Sequence, residues 1–107
     1  MRFSEEILKN MFEEAFSDEV ESIYGGESSM SFVSEDFSMK YNFLEGNIVF
    51  SGRKWMKIGI IFISEYSIFS KIDSSSIYGY RVGLFEHKLK KLINSSRKKA
   101  RRKFTAR

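Results

Sequence analysis

Six of the seven residues from Arg97 to Lys103 are basic, interrupted only by Ala100. Guanidinium forks match phosphate oxygens and base edges, while lysines act as compact point charges. Arg97, Lys98, Lys99, Arg101, Arg102 and Lys103 are therefore expected to contact phosphates of RNA or DNA. Held on a helix, they would ring Ala100 and suit a groove, and single-stranded or structured RNA fits as well as duplex DNA. Blocks of like charge also serve as interaction tails. An acidic protein surface, a partner's or that of the chain's own first helix, is thus the competing ligand, and a solvated end with no ligand is the plainest reading. Lys88, Lys90 and Lys91 extend the same charge toward the amino end.

A second basic segment, Gly52 to Lys57, interleaves Arg53, Lys54 and Lys57 with Trp55. On a strand, Arg53, Trp55 and Lys57 would share one face, so that a base could stack on the indole while the cations held phosphates. A large aromatic at the mouth of a central strand more often belongs to the core, and Trp55 is expected there with its basic neighbours in solvent.

Catalytic chemistry has little to work with. There is no cysteine, which removes disulfides, thiolate metal sites and cysteine nucleophiles. His87 is the only histidine and has no nucleophile motif beside it, so a solvent-facing role is expected. Glu86 and Lys88 follow Asp73 by thirteen and fifteen residues, an acid pair plus lysine of the kind that holds Mg²⁺ in some nucleases. A chain this rich in charge supplies Glu-x-Lys by chance, and these residues open a helix instead of lying on a strand. Gly25-Gly26 and Gly79 to Gly83 lack the Lys-Ser/Thr element of a phosphate loop. No metal, cofactor or enzymatic activity is expected.

The acids are concentrated at the other end. Residues 1–53 hold four Lys/Arg against eleven Asp/Glu, and residues 54–107 hold fourteen against three. Such asymmetry points to a polyanionic partner for the carboxyl half. Glu5, Glu6, Glu13, Glu14, Asp18 and Glu21 form an acidic stripe that is either a solvated face or an imitation of a row of phosphates.

The elements that position these groups follow from periodicity. Ser4 is placed to cap a helix whose apolar residues Leu8, Met11, Phe12, Ala15, Phe16, Val20 and Ile23 recur at helical spacing. Phe3 and Leu8 are spaced as a hydrophobic staple, and Gly25-Gly26 supply a stop, with Ser17-Asp18 a possible break. From Met30 the period becomes two. Phe37, Met39, Tyr41 and Phe43 alternate with polar residues, and Glu45-Gly46-Asn47 turns into Ile48-Val49-Phe50, which reads as a hairpin. Trp55 to Ser64 reads as a central strand, Ile68-Phe69 as a short one and Ile77–Val82 as a last one. Helical spacing returns with Phe85, Leu89, Leu92, Ile93, Ala100 and Phe104.

The expected fold is α+β: an antiparallel sheet of about four or five strands with an amino-terminal and a carboxyl-terminal helix packed on one face. Phe12, Phe16, Ile60 and Leu89 are expected to meet across that interface. At 107 residues with seventeen aromatics, the chain supports one core. Residues 1–96 form a single domain and 97–107 a basic extension continuing the last helix. The start lacks the apolar stretch of a signal peptide, and the longest apolar run, Ile60–Ile63, is far below membrane-spanning length. The expected place of action is the cytoplasm, with no membrane partner. Proline is absent while Ser, Ile, Phe and Lys abound, a bias produced by AT-rich genes, many phage genes among them. The expected function is non-catalytic binding of nucleic acid, RNA or DNA, or of a complex containing it. The alternative is a small phage-type interaction or inhibitor protein that binds a host protein or a nucleic-acid-processing enzyme through its charged surfaces.

Overall fold

Ser4 starts the first helix, α1 (Glu5–Phe16), because its Oγ accepts the Ile7 amide at 3.2 Å while Glu5 and Glu6 sit at the positive end of the dipole. The computed structural model describes residues 3–65 and 67–105, with side chains as far as Ser96. In it α1 stops seven residues before Ile23, the last residue expected on it. Ser17 turns left-handed (φ 53°), the Glu13 carboxylate accepts the Val20 amide at 2.9 Å, and Asp18 accepts the Asp36 amide at 3.1 Å. The left-handed Ser17 and these carboxylate bonds to backbone beyond the helix end it here. Val20–Gly25, expected to continue the helix, is strand β1.

The chain then runs through β2 (Ser29–Ser34), β3 (Phe37–Asn42), β4 (Asn47–Gly52), a single 3₁₀ turn at Arg53–Trp55, β5 (Lys57–Ile63) and β6 (Ile68–Ile72) into α2 (Gly79–Thr105). Each strand pairs antiparallel with the next, giving one six-stranded meander in chain order. Six strands replace the expected four or five. β1 comes from the segment read as helix, and Ile77–Val82, read as a last strand, is loop and first helical turn. Asp73 Oδ1 accepts both the amide and the hydroxyl of Ser75, and Ser76 Oγ accepts the Tyr78 amide, so this segment coils into α2 rather than extending.

One face of the sheet is covered. Phe32, Met39, Tyr41, Ile48, Phe50 and Ile61 turn inward and are buried with Leu8, Phe12 and Phe16 of α1 and Val82, Phe85, Leu89 and Ile93 of α2. Phe50 is stacked on Phe16 at 5.3 Å and meets Phe85 edge-on at 5.1 Å, so one ring joins both helices to the sheet. Phe12, Phe16 and Leu89 lie in this core as expected. Ile60 does not. The β4–β5 register changes from Phe50↔Gly59 to Ser51↔Lys57, which leaves Ile58 as an extra residue in a bulge. Ile58 and Ile61 consequently point inward and Ile60 outward. Gly59 sits where a Cβ would stand 3.0 Å from the Lys71 carbonyl oxygen and 3.3 Å from Val82, so the bulge brings β5 close to both β6 and α2.

Candidate nucleic-acid interface

α2 positions most of the basic residues. Its 27 residues span about 40 Å, twice the roughly 20 Å of a six-residue strand, so a helix laid along this sheet must overrun it. It begins beside β6, where Gly79 approaches Ile72, and passes Phe50 at Phe85. It leaves at the opposite end of the sheet, where Lys90, Ile93 and Asn94 line a cleft with Tyr41, Gly46 and Ile63. Ile93 is the last buried side chain described on the helix, and Asn94, Ser95 and Ser96 are exposed. The backbone continues helical to Thr105. The side chains of Arg97, Lys98, Lys99, Arg101, Arg102 and Lys103 lie outside the described ones, as do Ala100 and Phe104.

The earlier lysines are partly engaged. Lys88 Nζ lies 2.8 Å from Glu14 of α1, and Lys90 Nζ lies 3.7 Å from Glu86, one turn back on the same helix. Lys91 is exposed and forms no ion pair with the described residues. Half of the acidic stripe is likewise drawn into the fold, with Glu13 bonded to β1, Glu14 to Lys88 and Asp18 to the β2–β3 turn, while Glu5, Glu6 and Glu21 are exposed.

Arg53, Lys54 and Lys57 stand at the end of the sheet where α2 begins, far from its exit. They do not extend the basic surface of the later helical turns. Arg53 Nε donates to Asp36 at 2.5 Å and its guanidinium lies 4.0 Å from Glu35. Trp55 departs from expectation: it is 78% exposed, and Arg53, Trp55 and Lys57 share no strand face. Lys54 and Trp55 both adopt left-handed backbone (φ 58° and 60°), which swings the indole out of the sheet at the 3₁₀ turn.

The nuclease set is not assembled. Asp73 is held below the usual carboxylate range by the Ser75 hydroxyl and amide, with Lys57 adding to the effect, while Glu86 pairs with Lys90 and His87 faces solvent. Among the described residues no group of three or more His, Asp or Glu side chains is arranged to hold a metal ion. No described helix is long and apolar enough to cross a membrane.

Two features escaped the sequence reading. Arg81, in the first turn of α2, donates to the Ala15 carbonyl oxygen at 3.4 Å and lies over the rings of Phe37 and Tyr80, tying the two helices together. The uncovered face of the sheet carries Lys40, Lys71 and a stacked pair, Phe62 and Phe69, with ring centroids 5.0 Å apart. The period-two alternation Ser38, Lys40, Asn42 held the signal for that face, since a polar row opposite a buried one marks a side that no helix covers.

Compared with protein-family models, curated proteins and solved structures, the chain matches none.

Proposed function

We propose that the protein binds nucleic acid without catalysis through the carboxyl-terminal turns of α2, with Arg97, Lys98, Lys99, Arg101, Arg102 and Lys103 contacting phosphates. The supporting observation is the overrun of the helix. Twelve residues follow Ile93 on α2, a rise of about 18 Å, with six bases among them. A cationic rod that leaves the body of a fold can approach a polyanion without displacing any core contact. Lys91 adds to the surface at the point where the rod emerges. The polymer is RNA or DNA, free or within a larger complex, and the encounter takes place in the cytoplasm.

The test is a salt titration. If about five phosphates are contacted on duplex DNA, log K against log salt slopes by roughly −4 to −5, and less steeply on a single strand. Replacing the six tail bases by Gln is expected to remove most of that slope. A slope unchanged in this variant refutes the tail as the contact.

A protein partner is the second reading, favoured by a different observation. Trp55 at 78%, Met56 at 66% and Ile77 at 77% exposure stand on adjoining loops at the end where α2 begins. Exposed tryptophan is a common anchor of protein interfaces. Capture of partners with and without nuclease treatment separates the readings, because a partner held through Trp55 survives nuclease and is lost in Trp55→Ala.

A further inference from the structure

We infer that the outer edge of β6 is a self-pairing surface, on which a second copy of the chain adds its own β6 antiparallel across a twofold axis through Ser70. The inference concerns the body of the fold and stands apart from the nucleic-acid reading above.

The meander leaves two edges, β1 and β6. β1 is blunted, as edges usually are, by the bulge between Val20 and Ser22 and by the charge of Glu21. β6 has no bulge in its pairing with β5, and Lys71 is its single charge. Its free backbone groups follow from the ladder. The Asp73 amide donates to the Ile58 carbonyl oxygen at 2.8 Å at one end of the β5–β6 pairing, and the Ser64 amide donates to that of Ser67 at 2.9 Å at the other. Opposed residues of an antiparallel pair alternate between bonded and non-bonded, so Ser67, Phe69, Lys71 and Asp73 bond to β5. Ile68, Ser70 and Ile72 direct their amides and carbonyls away from the sheet, and no described residue bonds them there.

This edge is complementary to itself. Placing Ser70 opposite the partner's Ser70 sets Ile68 against the partner's Ile72 and Ile72 against the partner's Ile68, with two backbone hydrogen bonds at each of these pairs. Other antiparallel registers of two β6 strands either oppose outward groups to inward ones or shorten the ladder. The side chains agree with this register. On the uncovered face Phe69 falls opposite the partner's Lys71 at a non-bonded position, with Cβ atoms about 5 Å apart. Phe62 takes one face of the Phe69 ring, which is still 50% exposed, and the lysine covers the other as a cation–π contact. The two lysines stay on opposite sides of the axis. On the covered face the isoleucine pairs bury Ile72, which is 45% exposed in one copy.

The helix layer supports the same axis. α2 lies over β5 and β6, with Gly79 against Ile72 and Val82 against Gly59. The axis therefore sets two such helices side by side and antiparallel, about two strand spacings or 10 Å apart, which is a helix-packing distance. Gly83 lies one turn after Gly79 on the β6 side of α2, and a Cβ there would meet nothing within 4 Å. Glycine weakens a helix interior, and no described contact within one copy calls for it here, whereas a close helical neighbour does. An edge of five residues, about 17 Å long, makes a small interface, so a dissociation constant in the micromolar range is expected.

The test is sedimentation equilibrium of the full chain, freed of nucleic acid by nuclease and high salt, from about 5 to about 300 µM. The wild type is expected to pass from monomer to dimer across this range. Gly83→Met adds bulk where one copy has room, and Ser70→Pro removes an amide that bonds nothing within the sheet. Each is expected to weaken the dimer at least tenfold while keeping the circular dichroism of the wild type. The register has its own test, because the chain has no cysteine. The Cα atoms of Ser70 and the partner's Ser70 stand about 5.5 Å apart, within disulfide reach, and those of the two Lys71 residues about 8 Å apart, beyond it. Diamide is expected to convert most of Ser70→Cys to a covalent dimer and to leave Lys71→Cys monomeric. Should Ser70→Pro unfold, Gly83→Met and the two cysteine variants decide. A wild type that is monomeric throughout overturns the inference. So does a dimer that neither Gly83→Met nor Ser70→Pro weakens, or one in which Lys71→Cys cross-links as readily as Ser70→Cys.

Discussion

Ile60 and Ile61 are chemically identical neighbours that the β5 bulge sends to opposite sides of the sheet, so truncating each to Ala tests the register directly. Each change removes three carbon groups, about 2.4 kcal/mol of transfer free energy at ~0.8 kcal/mol per methylene for a fully buried side chain. Ile61 is 0% exposed and enclosed by core residues that relax only partly, so a residual cavity adds about 1 kcal/mol and the expected loss is about 3–4 kcal/mol. Ile60 is half-buried between Val49 and Lys71 on the uncovered face. It loses only part of the transfer free energy and leaves no closed cavity, for an expected cost of about 1 kcal/mol. Urea unfolding followed by far-ultraviolet circular dichroism is the assay, since Trp55 is too exposed to report sensitively. With an m-value of about 1.5 kcal/mol/M, the Ile61 variant should lose about 2 M in midpoint and the Ile60 variant well under 1 M. An Ile60→Ala cost equal to or above that of Ile61→Ala would refute the register. A one-residue slip exchanges the two faces of a strand, so the same result would move Phe62 inward.

Two further outcomes follow from single contacts. Ser4→Ala removes the hydroxyl that accepts the Ile7 amide and should cost about 1 kcal/mol in urea unfolding; restoring the cap with Asp should recover it. Asp73 has a folded-state pKa below its ordinary value because the charged form is bonded by Ser75. Its contribution is therefore present in full above the ordinary carboxylate range and lost as pH falls through the lowered value. The stability deficit of Asp73→Ala should be visible at pH 7 and shrink as pH is taken below about 4; a deficit that grows on acidification would contradict the hydrogen bonds.

The misreading of β1 as helix and the misplacing of Ile60 share one cause. Val20 and Ile23 are spaced by three, which on an unbroken strand would put them on opposite faces and on a helix puts them together. A bulge between Val20 and Ser22 lets both reach the core from β1, so a strand imitates helical spacing. The bulge in β5 does the same for Ile58 and Ile61, and it made Ile60 look like the inward residue. Bulges are set by how a strand meets its neighbours, which periodicity along one strand does not record. Where the alternation is unbroken, as at Phe37, Met39 and Tyr41, the inward face was legible from the sequence. The helical stripe was also legible from Phe85 to Ile93, although it begins one turn earlier at Val82. Trp55 was misread because its outward position depends on two left-handed residues that carry no glycine to announce them.

The distribution of charge gains a physical meaning once the helices are placed. Glu13, Glu14 and Asp18 are spent on contacts within the fold, with Glu14 neutralising Lys88. Arg97 to Lys103 follow Lys88 by nine to fifteen residues on one continuous helix, a rise of about 14–22 Å from that ion pair. The Debye length at physiological ionic strength is about 8 Å, so Glu14 leaves the field at the distal turns almost uncancelled. Folding the basic run back onto α1 would require breaking α2, which contains no proline and no glycine beyond Gly83 to favour such a break. Glu13, Glu14 and Asp18 thus stabilise the body of the fold, and the continuous α2 keeps the basic run apart from the Glu14–Lys88 pair.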